Sequence, residues 1–94
     1  MLGRDAVHLL TLHAAKGLEF KEVYICGLED RMLPNTRAVR GEDPKEMAEQ
    51  RRLLYVGMTR AMDRLTLSCV RHRPGRNMIP SRFWEELQLE MHEP

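Results

Sequence analysis

No run of apolar residues in this sequence approaches the ~18 that a bilayer-spanning helix needs, and the mean hydropathy is −0.49. A membrane span is therefore excluded. The opening stretch MLGRDAVHLLTLHAAK has neither a long apolar centre nor a small-residue cleavage site, so no signal peptide is read there and a cytoplasmic protein is expected. Cysteine is scarce too. Cys26 and Cys69 are the only two. Each lies in an apolar, strand-like run, which supports neither a disulfide framework nor a four-ligand zinc site; both are expected as reduced core residues, with no metal site. An excess of one charge is also missing, because 15 Lys and Arg against 14 Asp and Glu leave a net charge of +1. The global basic field of an autonomous nucleic-acid binder is absent, and any contact to DNA or RNA must be local. The 94 residues make one domain at most, burying somewhat over ~60% of the unfolded surface, so the core is small.

What is present alternates. VHLLTL (7–12), EVYICGL (22–28) and LTLSCV (65–70) are short and nearly continuously apolar, the pattern of strands buried on both faces of a parallel sheet. HAAKGLEF between the first two starts helically and is broken at Gly17, giving a short helix or irregular turn. Residues 29–43, with Pro34, Asn35 and Gly41, have no clean period and read as a surface loop. Asp43 is placed to cap a helix with Pro44 at its first position and Glu46 as the capping-box acid; Met47, Leu54 and Met58 form its apolar stripe. RHRPGRNMIP (71–80) reads as a loop, and Pro80-Ser81 opens a last helix with Phe83, Trp84, Leu87 and Met91 inward. The predicted fold class is α/β, a small parallel sheet of about three or more strands with flanking helices.

In open α/β sheets ligands gather beyond the carboxyl ends of the strands, and TLHAAKGLEF begins where the first predicted strand ends. Thr11, His13, Lys16, Gly17 and Glu19 are thus expected to crowd one edge. The helix 44–58 delivers Thr59 and Arg60 just before the third strand. A crossover helix normally ends at the amino edge, so whether Arg60 joins the first cluster is a question for the geometry.

The stretch TLHAAKGLEFKEVYICGLEDRMLP resembles the fifth conserved motif of superfamily-one DNA helicases of the UvrD/Rep/PcrA family, and EQRRLLYVGMTRAMDRLTL resembles the sixth. The likeness runs over roughly residues 6–70, and PSRFWEEL is similar to the place where the second RecA-like lobe closes in that family. It implies that residues 1–94 are the C-terminal portion of that lobe, a partial RecA-like (P-loop NTPase) unit and a fragment of a longer parent. The implied partners are single-stranded DNA and the parent's N-terminal RecA-like lobe. That lobe, which this sequence lacks, would carry the phosphate loop and hold the magnesium of ATP.

By the same resemblance Arg60 is the catalytic arginine that reaches the nucleotide's γ-phosphate, Glu19 contacts the ribose, and Gly17 lets the backbone approach. Thr11, His13 and Lys16 match positions associated with single-stranded DNA. No GxxxxGK[ST] occurs here, so the isolated chain is expected to be inactive in ATP hydrolysis. RMLPN stands where relatives commonly carry an aromatic before the proline, which bears only on local packing. Two other readings are kept: a catalytically inactive DNA- or partner-binding module, and the equivalent lobe of a recombination helicase-nuclease.

Several residues have simpler readings. A Thr-Arg pair at a helix end is ordinarily a solvated cap, and here only the surrounding motif favours function. Phe83 and Trp84, at helical spacing, are core rather than a base-stacking platform. Arg71, Arg73 and Arg76 form a basic loop that either tracks a nucleic-acid backbone or is simply solvated; the second reading is preferred. Tyr24 and Tyr55 are assigned to packing.

Overall fold

The computed structural model describes residues 6–88. In chain order the elements are β1 (Phe20–Ile25), α1 (Thr36–Arg40), α2 (Pro44–Met58), β2 (Ala61–Leu67), β3 (His72–Arg73), β4 (Arg76–Asn77) and α3 (Phe83–Leu87). The architecture is mixed α/β. β1 and β2 pair in parallel, with Val23 opposite Leu65 and Ile25 opposite Leu67, while β3 and β4 form a small antiparallel hairpin.

Among the described residues two strands make the parallel sheet, where three or more were expected. The segment 7–12 is not a strand. A strand needs a neighbour for its backbone ladder, and neither outer edge of the β1–β2 pair takes up this segment. The segment instead turns His8 and Leu12 toward the protein and leaves Val7 and Leu9 90% and 93% exposed. β1 and β2 are not buried on both faces either. Val23, Ile25, Leu65 and Leu67 face the core, whereas Glu22 pairs with Arg64 at 3.4 Å and Tyr24 lies opposite Thr66 on the open face. The same alternation corrects the reading of Cys26: with Ile25 turned inward, Cys26 is exposed. Cys69 is half-buried against the core, where burial pushes its thiol up. Tyr24 and Tyr55 are likewise exposed rather than packed.

Helix α2 runs over the expected residues. Asp43 caps it, its Oδ1 accepting from the Lys45 amide at 2.9 Å. Asp43→Ala should lower stability by about 1 kcal/mol, read as a lower urea midpoint of the helical signal; an unchanged midpoint would mean that water serves the Lys45 N–H equally well. Glu46 does not close a capping box. Its carboxylate accepts from Asn35 Nδ2 at 3.0 Å, while the Asn35 amide donates to the buried Gln50 Oε1 at 2.9 Å and Asn35 Oδ1 caps α1 through the Ala38 amide. These bonds fasten the 29–43 segment, which contains α1, onto α2.

The core is Ile25, Leu28, Leu33, Leu54, Phe83 and Trp84. α3 is too short to be stable by itself and is held by its contacts. Trp84 Nε1 donates to the Leu28 carbonyl at 3.0 Å, and buried Ser81 accepts from the Phe83 amide at 3.1 Å. Arg51 lies 5.7 Å from the Phe83 ring centroid and forks onto Glu86, which holds the Glu86 carboxyl below its usual range. Met91, expected on the same stripe, lies outside the described residues.

Candidate functional site

The last turn of α2 and the residues before β1 meet at the amino edge of the parallel sheet. The Phe20 amide, which opens β1, donates to the Arg60 carbonyl at 2.9 Å. Glu19 and Arg60 thus stand immediately before two neighbouring strands, at one edge. The turn before them is closed locally: Thr11 Oγ1 accepts from the Ala14 amide at 3.1 Å, and the Leu18 amide donates to the Ala15 carbonyl at 3.0 Å. Gly17 has φ +82° with open space where a Cβ would stand, so the conformation, rather than crowding, calls for glycine.

This turn is also fastened to α2. A Cβ on Gly57 would overlap the Leu12 side chain and come within 3.3 Å of Ile25 Cδ1. Glycine here lets Leu12 lie directly against the helix three residues before Arg60. Sequence reasoning passed over Gly57, although a glycine inside an apolar helical stretch is a signal of close packing.

Glu19 and Arg60 therefore share one edge, and the turn that carries Thr11, His13, Lys16 and Gly17 leads into it and rests on α2 through Leu12. Thr11, His13, Lys16, Gly17 and Glu19 are exposed, and Arg60 is half-buried. The edge differs from the expected one. With 7–12 unpaired, these residues do not sit beyond the carboxyl end of a first strand; Glu19 and Arg60 meet at the amino ends of β1 and β2, and the turn through Gly17 runs into that edge. The Thr11 hydroxyl is occupied by its turn.

Arg60 carries the most telling geometry. One terminal nitrogen donates to Thr59 Oγ1 at 3.2 Å, and that hydroxyl donates to the Val56 carbonyl at 2.8 Å. Its Nε is buried without a partner. An unmade bond at a buried polar atom typically costs ~1–3 kcal/mol and is uncommon in folded proteins. One terminal nitrogen of the side chain is thus held while the Nε–H stays unused. His8 Nε2 is the other such atom among the described residues, its ring 5.8 Å from that of Phe20. No group of three His, Cys, Asp or Glu among the described residues is arranged to hold a metal.

A second charged cluster, missed in the sequence, occupies the opposite edge. Glu29 is fully buried and accepts from the Val70 amide at 2.8 Å and from Arg73 Nε at 2.7 Å. Asp30 accepts from the Arg82 amide and guanidinium. Arg73, expected in a solvated loop, instead anchors the β3–β4 hairpin.

Comparison with known proteins agrees with the motifs. The model of the UvrD-like helicase C-terminal domain matches residues 1–72. The chain is 47% identical over 93 residues to ATP-dependent DNA helicase UvrD1 of Mycobacterium tuberculosis, covering 95% of this chain and 12% of that protein. It is 46% identical over 98 residues to DNA helicase II of Escherichia coli, covering 92% and 13%. With ATP-dependent DNA helicase PcrA of Staphylococcus aureus the identity is 46% over 88 residues, covering 88% and 12%. The chain thus spans about an eighth of the length of these relatives. On the match over residues 1–72, it belongs to the UvrD-like helicase C-terminal domain family.

Proposed function

We propose that residues 1–94 form the C-terminal portion of the second RecA-like lobe of an ATP-dependent DNA helicase or translocase. ATP binds between this lobe and an N-terminal lobe that carries the phosphate loop. That other lobe would hold the magnesium of ATP, which would supply charge neutralisation at the phosphates; none of the residues 6–88 is assigned to it. Arg60 is the arginine finger, Glu19 accepts from the nucleotide ribose, and Gly17 admits the nucleotide close to the backbone. Thr11, His13 and Lys16 face single-stranded DNA.

The observation that carries this reading is the buried, unpartnered Nε of Arg60 beside Glu19 on one sheet edge. A guanidinium fork matches phosphoryl oxygens, and a finger from a second lobe acts only when the cleft closes. The Leu12–Gly57 contact gives a physical route between the two ligands. The turn bearing Thr11, His13 and Lys16 rests on the helix that ends in Arg60, so a shift of one displaces the other.

The complete gene product is expected to hydrolyse ATP with stimulation by single-stranded DNA, whereas residues 1–94 alone are expected to show none, having no phosphate loop. Absence of ATP hydrolysis by the complete gene product would contradict the proposal. Steady-state phosphate release with and without an oligothymidylate decides it.

A further inference from the structure

The carboxyl edge of the sheet carries two arginines, Arg31 and Arg76, that make no ion pair among the described residues and that the amino-edge cluster does not use. Ser68 and Leu28 pair through their backbones just beyond β2 and β1, and the Ser81 amide donates to the Leu28 carbonyl at 2.9 Å. The hairpin β3–β4 therefore stands beyond the carboxyl ends of the strands, the edge where open α/β sheets usually receive ligands. Its mounting is firm. Arg73 is tied to buried Glu29, and the turn between the strands is Pro74-Gly75, with Gly75 at φ +80°.

Three observations separate this surface from an ordinary solvated loop. Arg73 and Arg76 are directly opposite in the antiparallel pair, an arrangement of like charges that disfavours pairing unless an anion intervenes. Glu29 serves Arg73, but Arg76 has no acidic partner among the described residues. Asp30, the other acid at this edge, is taken by Arg82 through three hydrogen bonds. Arg31 is held at φ +80°, a left-handed conformation that a non-glycine residue rarely adopts. The fold fixes it from both sides, through the Asp30 amide to the Ile79 carbonyl at 2.9 Å and through its bridge to Asn35. Strain maintained by flanking bonds is typical of functional positions.

Arg31 also lines a shallow cavity of about 160 Å³ with Asp30, Asn77, Met78 and Ile79. Arg76 is the residue before Asn77 on β4. Met78 is buried beneath and Ile79 is 68% exposed, so an apolar surface lies beside cationic groups. That combination suits a nucleic acid whose bases are unstacked, with guanidinium groups on the backbone and an apolar side chain for a base face. A duplex offers no free base face.

We propose that Arg31 and Arg76 form a second contact for the phosphate backbone of single-stranded DNA, at the sheet edge opposite Arg60. The inference rests on the DNA-binding reading given above and extends it to Arg31, which the first motif stretch contains without a role, and to Arg76, beyond both motifs. Its test is equilibrium binding of a fluorescent oligothymidylate to the complete gene product across a salt series, without nucleotide. Wild type is compared with Arg31→Asn/Arg76→Gln, where asparagine tolerates the left-handed backbone. Each phosphate contact contributes about 0.7 to the slope of log K against log salt for single strands, so the double variant should lose about 1.4. With equal affinity near 1 M salt, that is a weakening of about 25-fold at 0.1 M. Arg76→Lys, which keeps the charge, should retain most of the slope.

A control of equal charge, Lys45→Gln/Arg52→Gln on α2, should change the slope little. An unchanged slope in Arg31→Asn/Arg76→Gln, or an equal loss in the control, would overturn the second contact while leaving DNA binding itself intact. If wild type fails to bind the oligonucleotide, the DNA-binding reading falls and this contact with it.

Discussion

Arg60→Ala in the complete gene product is expected to lower the single-strand-stimulated kcat for ATP hydrolysis by ~10³-fold, about 4 kcal/mol of transition-state stabilisation, with nucleotide affinity little changed. Charge on the transferred phosphoryl group grows toward the transition state. A guanidinium arriving across a closing cleft meets that charge more strongly than it meets bound ATP, so the loss falls on kcat. The substitution spares the fold. Arg60 contributes backbone bonds to Gly57 and Phe20, which alanine keeps, and among the described residues its side chain bonds only to Thr59. Arg60→Lys should recover little, because an ammonium is a point charge without the planar fork. An affinity loss that matches the loss of kcat/KM would instead make Arg60 a ground-state binding residue.

Glu29→Ala is expected to destabilise the hairpin and its connection to the sheet by about 3 kcal/mol. Removing one member of a buried ion pair typically costs 3–5 kcal/mol, and the lower end applies because the Arg73 side chain retains 34% exposure to water. The Val70 amide also loses its acceptor. Amide hydrogen exchange measures the effect directly: Val70 and Met78, whose N–H groups bond to Glu29 and to the Arg71 carbonyl, should lose ~10²-fold in protection. Glu29→Gln, which can still accept from Val70, should lose less. Equal protection in wild type and Glu29→Ala would show that the hairpin is held by its backbone contacts to Leu28 and Asp30 alone.

The parts of the fold legible in the sequence were those specified locally. Helix α2 was readable end to end because Asp43 and Pro44 mark its start and its apolar stripe has one period. Phe83 and Trp84 were recognisable as core from their spacing. Pairing was harder to read. Val7 to Leu12 has the composition of a buried strand, but composition does not supply the pairing that a ladder needs, and no strand among the described residues pairs with it. The hairpin at residues 72–77 was missed for a related reason: its strands are two residues each, too short for any alternation to show. Its anchor, Glu29, lies more than forty positions from Arg73 in sequence, a separation at which charge patterning carries no signal.

The candidate site divides in the same way. Its residues were found through two long motifs, and the turn geometry of Gly17 agrees with the need for glycine there. Their common edge was not readable, because it depends on Phe20 pairing with Arg60 and on Leu12 fitting against Gly57, contacts between segments some forty residues apart. Spacing along the chain gives no direction in space for such contacts.

The most direct measurement is the affinity of the complete gene product for ADP with aluminium fluoride, which imitates the transferring phosphoryl group, set beside its affinity for a non-hydrolysable ATP analogue. In Arg60→Ala the first should weaken by ~10³-fold, the same factor as kcat, while the second stays within about threefold of wild type. Equal weakening of both, or of neither, would contradict the assignment of Arg60 as the finger that this lobe extends to the nucleotide.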